Sequence, residues 1–120
     1  ARVFGRPPAP GVLDAMWLLA SHGDGARRLP TTIRFMQDRQ RFRQRWLGAL
    51  SRIDRPVLVA WGARDPVTHI GIAHRLAREV PGATLVTWDD LGHYPHVEDA
   101  ARVWPEVNAF FDQVDAAPGR

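Results

Sequence analysis

The sequence predicts an α/β fold: two parallel strands with flanking helices, preceded by a helical segment. Three observations predict it. Two short apolar runs, residues 56–61 and 84–88, are bounded by turn residues, as buried strands are. The stretch between them, 68–80, is amphipathic at helical spacing and ends at Pro81-Gly82, a helix stop. Each strand also runs into a loop that carries an ionisable residue, Asp65 after the first and His93 after the second.

Taken in order, residues 11–22 read as an amphipathic helix with Val12, Met16 and Leu19 on one stripe and Trp17 beside it, stopped by His22-Gly23-Asp24-Gly25. A longer helix over 29–50 follows, capped by Thr31 or Thr32, with Phe35, Phe42, Trp46 and Leu50 at helical spacing and arginines over the rest of its surface. The stretch 51–55 breaks it. Strand 56–61 then leads through the turn 62–67 into helix 68–80, whose buried stripe is Ile72, Leu76 and Val80. Strand 84–88 must lie parallel to the first, because a strand, a helix and a strand joined by short loops form a right-handed crossover. The last helix carries Val103, Val107, Phe110, Phe111 and Val114 as a stripe that covers one sheet face. Pro105 either kinks this helix or occupies its first turn, with 98–103 as a separate short turn. The chain thus divides into a helical part, 1–51, and an α/β part, 52–120.

Composition excludes several classes. The chain is 45% apolar and 24% charged, as a soluble globular protein is. It has no cysteine, so neither a disulfide framework nor a thiolate site is available. All 16 basic residues are arginine, which stays charged up to about pH 12, yet the net charge is only +3. No apolar run is long enough to span a bilayer and no leader-like block opens the chain, so the expectation is a cytoplasmic protein with no membrane partner. The first residue is not methionine, the opening ten residues are irregular, and two apolar strands need neighbours on both sides. We therefore read the chain as a C-terminal segment whose partner is the N-terminal part of the same fold. Expressed alone, it is expected to aggregate or to form a loosely packed state.

The chemistry lies in the two loops. Open parallel sheets place their ligands at the carboxyl ends of strands, where Asp65 and His93 both sit. In this chain order an acid and a histidine are the last two members of a nucleophile, acid, histidine triad. A histidine titrates near neutrality, and a neighbouring carboxylate fixes its tautomer and stabilises the imidazolium it forms. Taken singly, Asp65 before Pro66 is a turn or cap residue, and His93 a loop histidine bonded to backbone; the pairing favours function. Asp89 and Asp90 are poorer acids, because adjacent acidic residues after a strand are solvated loop positions. His96 lies near His93 without a further ligand at useful spacing, and His69 and His74 point to different helix faces, so no metal and no other cofactor is expected. Tyr94 is a candidate border of a substrate pocket. Met16 and Trp17 are candidates for lining a cavity under the helical part, Trp17 with an indole N–H to donate to a halide, although core packing is the role expected of both.

A rival class is nucleic-acid binding through Arg34, Arg39, Arg41, Arg43 and Arg45. On a helical wheel these straddle the apolar stripe, as snorkelling arginines on a solvated helix do, and no nucleic-acid fold signature accompanies them. No nucleic-acid partner is expected.

The motifs RFMQDRQRFRQRWLGAL, WGARDPV and LGHYPHVED, in this order and together with VFGRPP and MWLLASHGDG, resemble α/β-hydrolases of the mesoderm-specific transcript family, relatives of the haloalkane dehalogenases and epoxide hydrolases. The resemblance spans the whole chain. D-P-V and G-H-Y-P occur across many α/β-hydrolases, whereas the arginine-rich helix ending in RW-x-GAL is more specific. The resemblance implies the C-terminal portion of an α/β-hydrolase fold, its last two parallel strands with flanking helices. Residues 1–51 would then be a lid remnant with its connecting helix, and 52–120 the end of the core. It implies a hydrolase of a small organic substrate (haloalkane, epoxide or ester) acting through a covalent ester, with Asp65 as acid and His93 as general base. The nucleophile in this branch is an aspartate on a sharp strand-to-helix turn. Neither G-x-S-x-G nor G-x-D-x-G is present, so nucleophile and oxyanion hole are expected outside this chain. His93 would activate water against the ester of an aspartate, or the hydroxyl of a serine. The alternative is a hydrolase-like protein that only binds, against which the retention of Asp65 and His93 counts.

Overall fold

The computed structural model describes residues 3–117, in two compact units: Ala9–Arg52, and Ile53 onward together with the opening residues up to Pro8.

In the first unit α1 (Val12–Ser21) starts after Gly11, whose φ of 80° only glycine adopts without strain. Val12 and Met16 are half-buried on it, whereas Leu19 is exposed, so the expected stripe is shorter. The helix expected over 29–50 is instead three short ones: α2 (Gly25–Thr32), α3 (Phe35–Arg41) and α4 (Arg43–Leu50). Two causes are visible in the sequence. Pro30 sits inside α2 and cannot donate its share of the helix ladder, and α2 ends two residues later. At the second break, Phe42 leaves helical geometry with φ −105° and ψ 15°. There Arg39 and Arg43, and Arg41 and Arg45, stand four apart as like charges that disfavour one continuous helix. Thr31 and Thr32 are therefore not caps; they close α2, and Thr32 Oγ1 donates back to the Arg28 carbonyl at 3.2 Å. The guanidiniums of Arg39 and Arg41 lie 6.0 and 5.2 Å from the centroids of Phe35 and Phe42. The arginine stems thus run along aromatic surface.

In the second unit β1 (Val57–Gly62) pairs in parallel with β2 (Ala83–Trp88), Val57 opposite Ala83 and Gly62 opposite Trp88. The crossover helix α5 (Gly71–Glu79) packs on both strands. It begins later than residue 68 because the N–H groups of Val67 and Thr68 are taken by Asp65 and that of Gly71 by His69 Nδ1, at 3.0 Å. Its buried side is Ala73, with Val80 just past the helix end, while Ile72 is exposed. Leu76 and Val80 of the expected stripe do face inward, and Ala73 takes the place of Ile72.

A short helix α6 (Pro95–Glu98) and the long α7 (Ala100–Ala116) end the chain. Pro105 lies inside α7 and outside its first turn, and the separate short helix is α6. Asp99 caps α7, its side chain accepting from Arg102 N–H at 3.3 Å. Val103 of α7 joins Trp88 and Leu91 in one core cluster, flanked by Ala60, Val86 and Val107. Side chains alternate along a strand, so Ala60, Val86 and Trp88 share the face that α7 covers. Val103, Val107, Phe110 and Val114 turn inward, at strict helical spacing, and Phe111 is exposed. Leu91 is 0% exposed; burial of this size stabilises by about 1.5–3 kcal/mol and fixes the loop just before His93. Among the described residues, no helix is long and apolar enough to cross a membrane.

Candidate active site

Asp65 and His93 stand at the carboxyl ends of β1 and β2, and backbone contacts stitch their two loops together. Ala63 N–H donates to the Trp88 carbonyl and Arg64 N–H to the Leu91 carbonyl, each at 2.8 Å. The two loops approach so closely that a Cβ on Gly62 would lie 2.7 Å from the Leu91 carbonyl carbon, while one on Gly92 would lie 2.8 Å from the carbonyl oxygen of Val3, in the opening segment that passes behind the His93 loop. Both distances are shorter than any real side chain tolerates, so the approach needs glycine at each position.

His93 Nδ1 lies 2.8 Å from Asp65 Oδ2. The other oxygen, Oδ1, accepts from Val67 N–H at 2.7 Å and Thr68 N–H at 2.9 Å. The turn that follows β1 thus holds the carboxylate in one orientation, aimed at the histidine. The Asp65 side chain is 5% exposed and that of His93 30%. Partial burial pushes the Asp65 carboxyl up, but the hydrogen bonds from His93 and from the Thr68 and Val67 amides outweigh it. The net effect is below the ordinary value of 3.8. Asp65 is therefore ionised at neutral pH. An ionised carboxylate only accepts, so Nδ1 carries the proton and donates it, and in a neutral ring Nε2 is left bare. A bare Nε2 on a half-exposed ring is what a general base requires.

The depressed carboxyl has a consequence for stability. Because the folded value lies below the unfolded one, the contribution of Asp65 is complete above about pH 3.8 and is lost as pH falls through the lower folded value. Denaturant unfolding between about pH 5 and pH 2 should show wild type losing more stability than Asp65→Asn over this window. Equal acid slopes would contradict the assignment. The variant is the proper reference because Asp90, also lowered by its hydrogen bond to Arg102, contributes to the acid loss of wild type and variant alike.

The other candidates fall as follows. Tyr94 is brought to the site, its ring edge-on to His93 at 4.8 Å between centroids and 5.6 Å from Phe4. Asp90 is drawn away, paired with Arg102 Nη1 at 2.9 Å and Arg6 Nη1 at 3.5 Å. His96 sits between two aromatics, 6.3 Å from Tyr94 and 6.5 Å from Trp104 between ring centroids. Met16 and Trp17 belong to α1 in the other unit; Trp17 is 62% exposed, so the core packing expected for it is absent among the described residues. One contributor went unnoticed in the sequence. The Glu98 carboxylate accepts from Gly92 N–H at 2.8 Å and Tyr94 N–H at 3.2 Å, the residues on either side of His93. Its only sequence signal is an acidic residue one short turn after the histidine, beside the equally acidic Asp99.

Comparison with known proteins shows the family. The family model described as TAP-like protein matches residues 35–116. The chain belongs to that family, within the α/β-hydrolase superfamily. The Mycobacterium tuberculosis protein named "Putative hydrolase LipZ" is 36% identical over 85 residues, covering 71% of this chain and 30% of the relative. The mouse (Mus musculus) mesoderm-specific transcript protein is 32% identical over 102 residues, covering 81% of this chain and 30% of its own length. The resemblance read from the motifs is thus found again by alignment. A solved structure described as a membrane phospholipase A, a novel bacterial virulence factor, superposes with a TM-score of 0.64 at 27% identity, over 97% of this chain and 36% of that one. The chain spans about 30% of the length of the curated relatives it matches. The fold is accordingly a C-terminal α/β-hydrolase portion.

Proposed function

We propose that this chain supplies the acid, Asp65, and the general base, His93, of a nucleophile, acid, histidine triad whose nucleophile lies outside the 120 residues. The observation that carries the reading is the 2.8 Å contact between His93 Nδ1 and the fixed Oδ2 of Asp65, which leaves Nε2 free to take a proton. The reaction is hydrolysis of a small organic substrate through a covalent ester. With an aspartate nucleophile, displacement of a halide or opening of an epoxide forms an alkyl ester. Nε2 then takes a proton from water as its oxygen attacks the ester carbonyl, and the imidazolium gives that proton to the leaving oxygen as its bond breaks, releasing the alcohol and the free carboxylate. With a serine nucleophile, Nε2 takes the hydroxyl proton first and returns it to the leaving alcohol. Asp65 stays ionised and stabilises the imidazolium in both. The phospholipase neighbour and the hydrolase relative favour esters as the substrates to try first. The helical segment read as residues 1–51 is proposed to be a lid remnant with its connecting helix, Met16 and Trp17 being its candidates for contact with substrate and Tyr94 that of the α/β part.

The test is turnover by the full-length protein of three panels: short-chain nitrophenyl esters, terminal epoxides and haloalkanes. Saturable turnover in one panel is expected. A folded protein that turns over none of the three would overturn this reading in favour of a binding role.

A further inference from the structure

We propose that Glu98 is the positioning residue of the candidate base, holding the His93 loop through one carboxylate; this rests on the reading of His93 as general base. Four backbone N–H groups converge on that carboxylate. Oε2 accepts from Gly92 at 2.8 Å, Gly5 at 2.8 Å and Arg6 at 2.9 Å, and Oε1 accepts from Tyr94 at 3.2 Å. The N–H of His93 itself, between Gly92 and Tyr94, donates to the Val3 carbonyl at 2.8 Å.

Three consecutive amides of the base loop are thus fixed. Two are held by Glu98, and the third by a strap, residues 3–6, that Glu98 holds as well. The strap has other anchors. Arg6 Nη1 reaches Asp99 Oδ2 at 2.8 Å, and the Phe4 ring lies 5.6 Å from that of Tyr94. The loop has no regular ladder of its own, so without the carboxylate the amides on either side of His93 have no replacement partner among the described residues. Charge-assisted bonds of this kind are the stronger sort. They set where the backbone carries the imidazole, while Asp65 sets its rotation and tautomer.

Substitution separates these roles. In Glu98→Gln one terminal oxygen remains for the three amides on the Oε2 side, but an NH2 group replaces the acceptor facing Tyr94 N–H, so donor meets donor. Glu98→Ala removes every acceptor. Measured in the full-length protein, kcat is expected to fall about tenfold in Glu98→Gln and about hundredfold in Glu98→Ala, with KM within about twofold, as a small misplacement of a base costs. The readout that a purely structural role would not move is the proton NMR signal of His93 Nδ1–H. It is expected to broaden or shift in Glu98→Gln under conditions where the variant is fully folded, whatever the change in its unfolding midpoint. If Glu98→Ala fails to fold, the Gln variant alone decides.

Two failures are distinguishable. Undiminished turnover in His93→Ala removes the base reading itself. Lost turnover in His93→Ala with an unaltered kcat, or an unaltered Nδ1–H signal, in folded Glu98→Gln overturns the positioning role alone.

Discussion

His93→Ala in the full-length protein is expected to lower kcat by about 10⁴-fold, the upper end of what a positioned acid–base group contributes. The side chain is 30% exposed and belongs to no core cluster, so folding should survive its removal. Intact mass after mixing with substrate carries the second half of the prediction. If the nucleophile is an aspartate, ester formation needs no base but ester hydrolysis does. The variant should then accumulate one covalent adduct per chain while wild type shows none. If it is a serine, neither accumulates an adduct, because attack itself needs the base. Undiminished turnover would remove His93 from the mechanism.

Asp65→Asn is expected to cost nearly as much, on the order of 10³–10⁴ in kcat, for a reason the geometry makes specific. Oδ1 is fixed by the amides of Val67 and Thr68 at 2.7 and 2.9 Å, and an asparagine would keep its oxygen there. Its NH2 group would then face His93 Nδ1. A donor in that position forces Nδ1 to accept, which moves the ring proton to Nε2 and blocks the atom that must take a proton. KM should change little, since neither side chain is needed to bind substrate. Nitrogen NMR of histidine-labelled protein should report the switch from the Nδ1–H to the Nε2–H tautomer. Full activity with an unchanged tautomer would mean that Asp65 is a turn residue only.

How much of this was legible in the sequence differs by element. The strands were, because Val57–Gly62 and Ala83–Trp88 are apolar runs with clear stops, and their order forces the parallel pairing seen. The pairing of Asp65 with His93 was legible from its place after those strands. The long helix over 29–50 was not: periodicity of Phe35, Phe42 and Trp46 ignores the proline at 30 and the like-charged arginines on both sides of Phe42. The stripe on α5 was misjudged at one residue because burial selected the small Ala73 over Ile72, and helix-to-sheet spacing is invisible to a hydrophobicity pattern. Glu98 was missed because its partners are backbone amides distant in sequence, Gly5 and Arg6 among them, and an amide leaves no signature in residue identity. Gly62 reads as part of a turn, although what it provides is the close approach of its loop to residues 91 and 92.

The account stands on Asp65 acting through His93 as one unit, and a double-mutant cycle tests that most directly. kcat/KM would be measured for wild-type full-length protein, Asp65→Asn, His93→Ala and the double variant, on whichever ester, epoxide or haloalkane proves to be the best substrate. Residues that work as a unit are strongly non-additive, so Asp65→Asn in the His93→Ala background should cost less than about threefold more. Losses that multiply, leaving the double variant slower by the product of the two single effects, would contradict the account: Asp65 and His93 would then serve the protein independently.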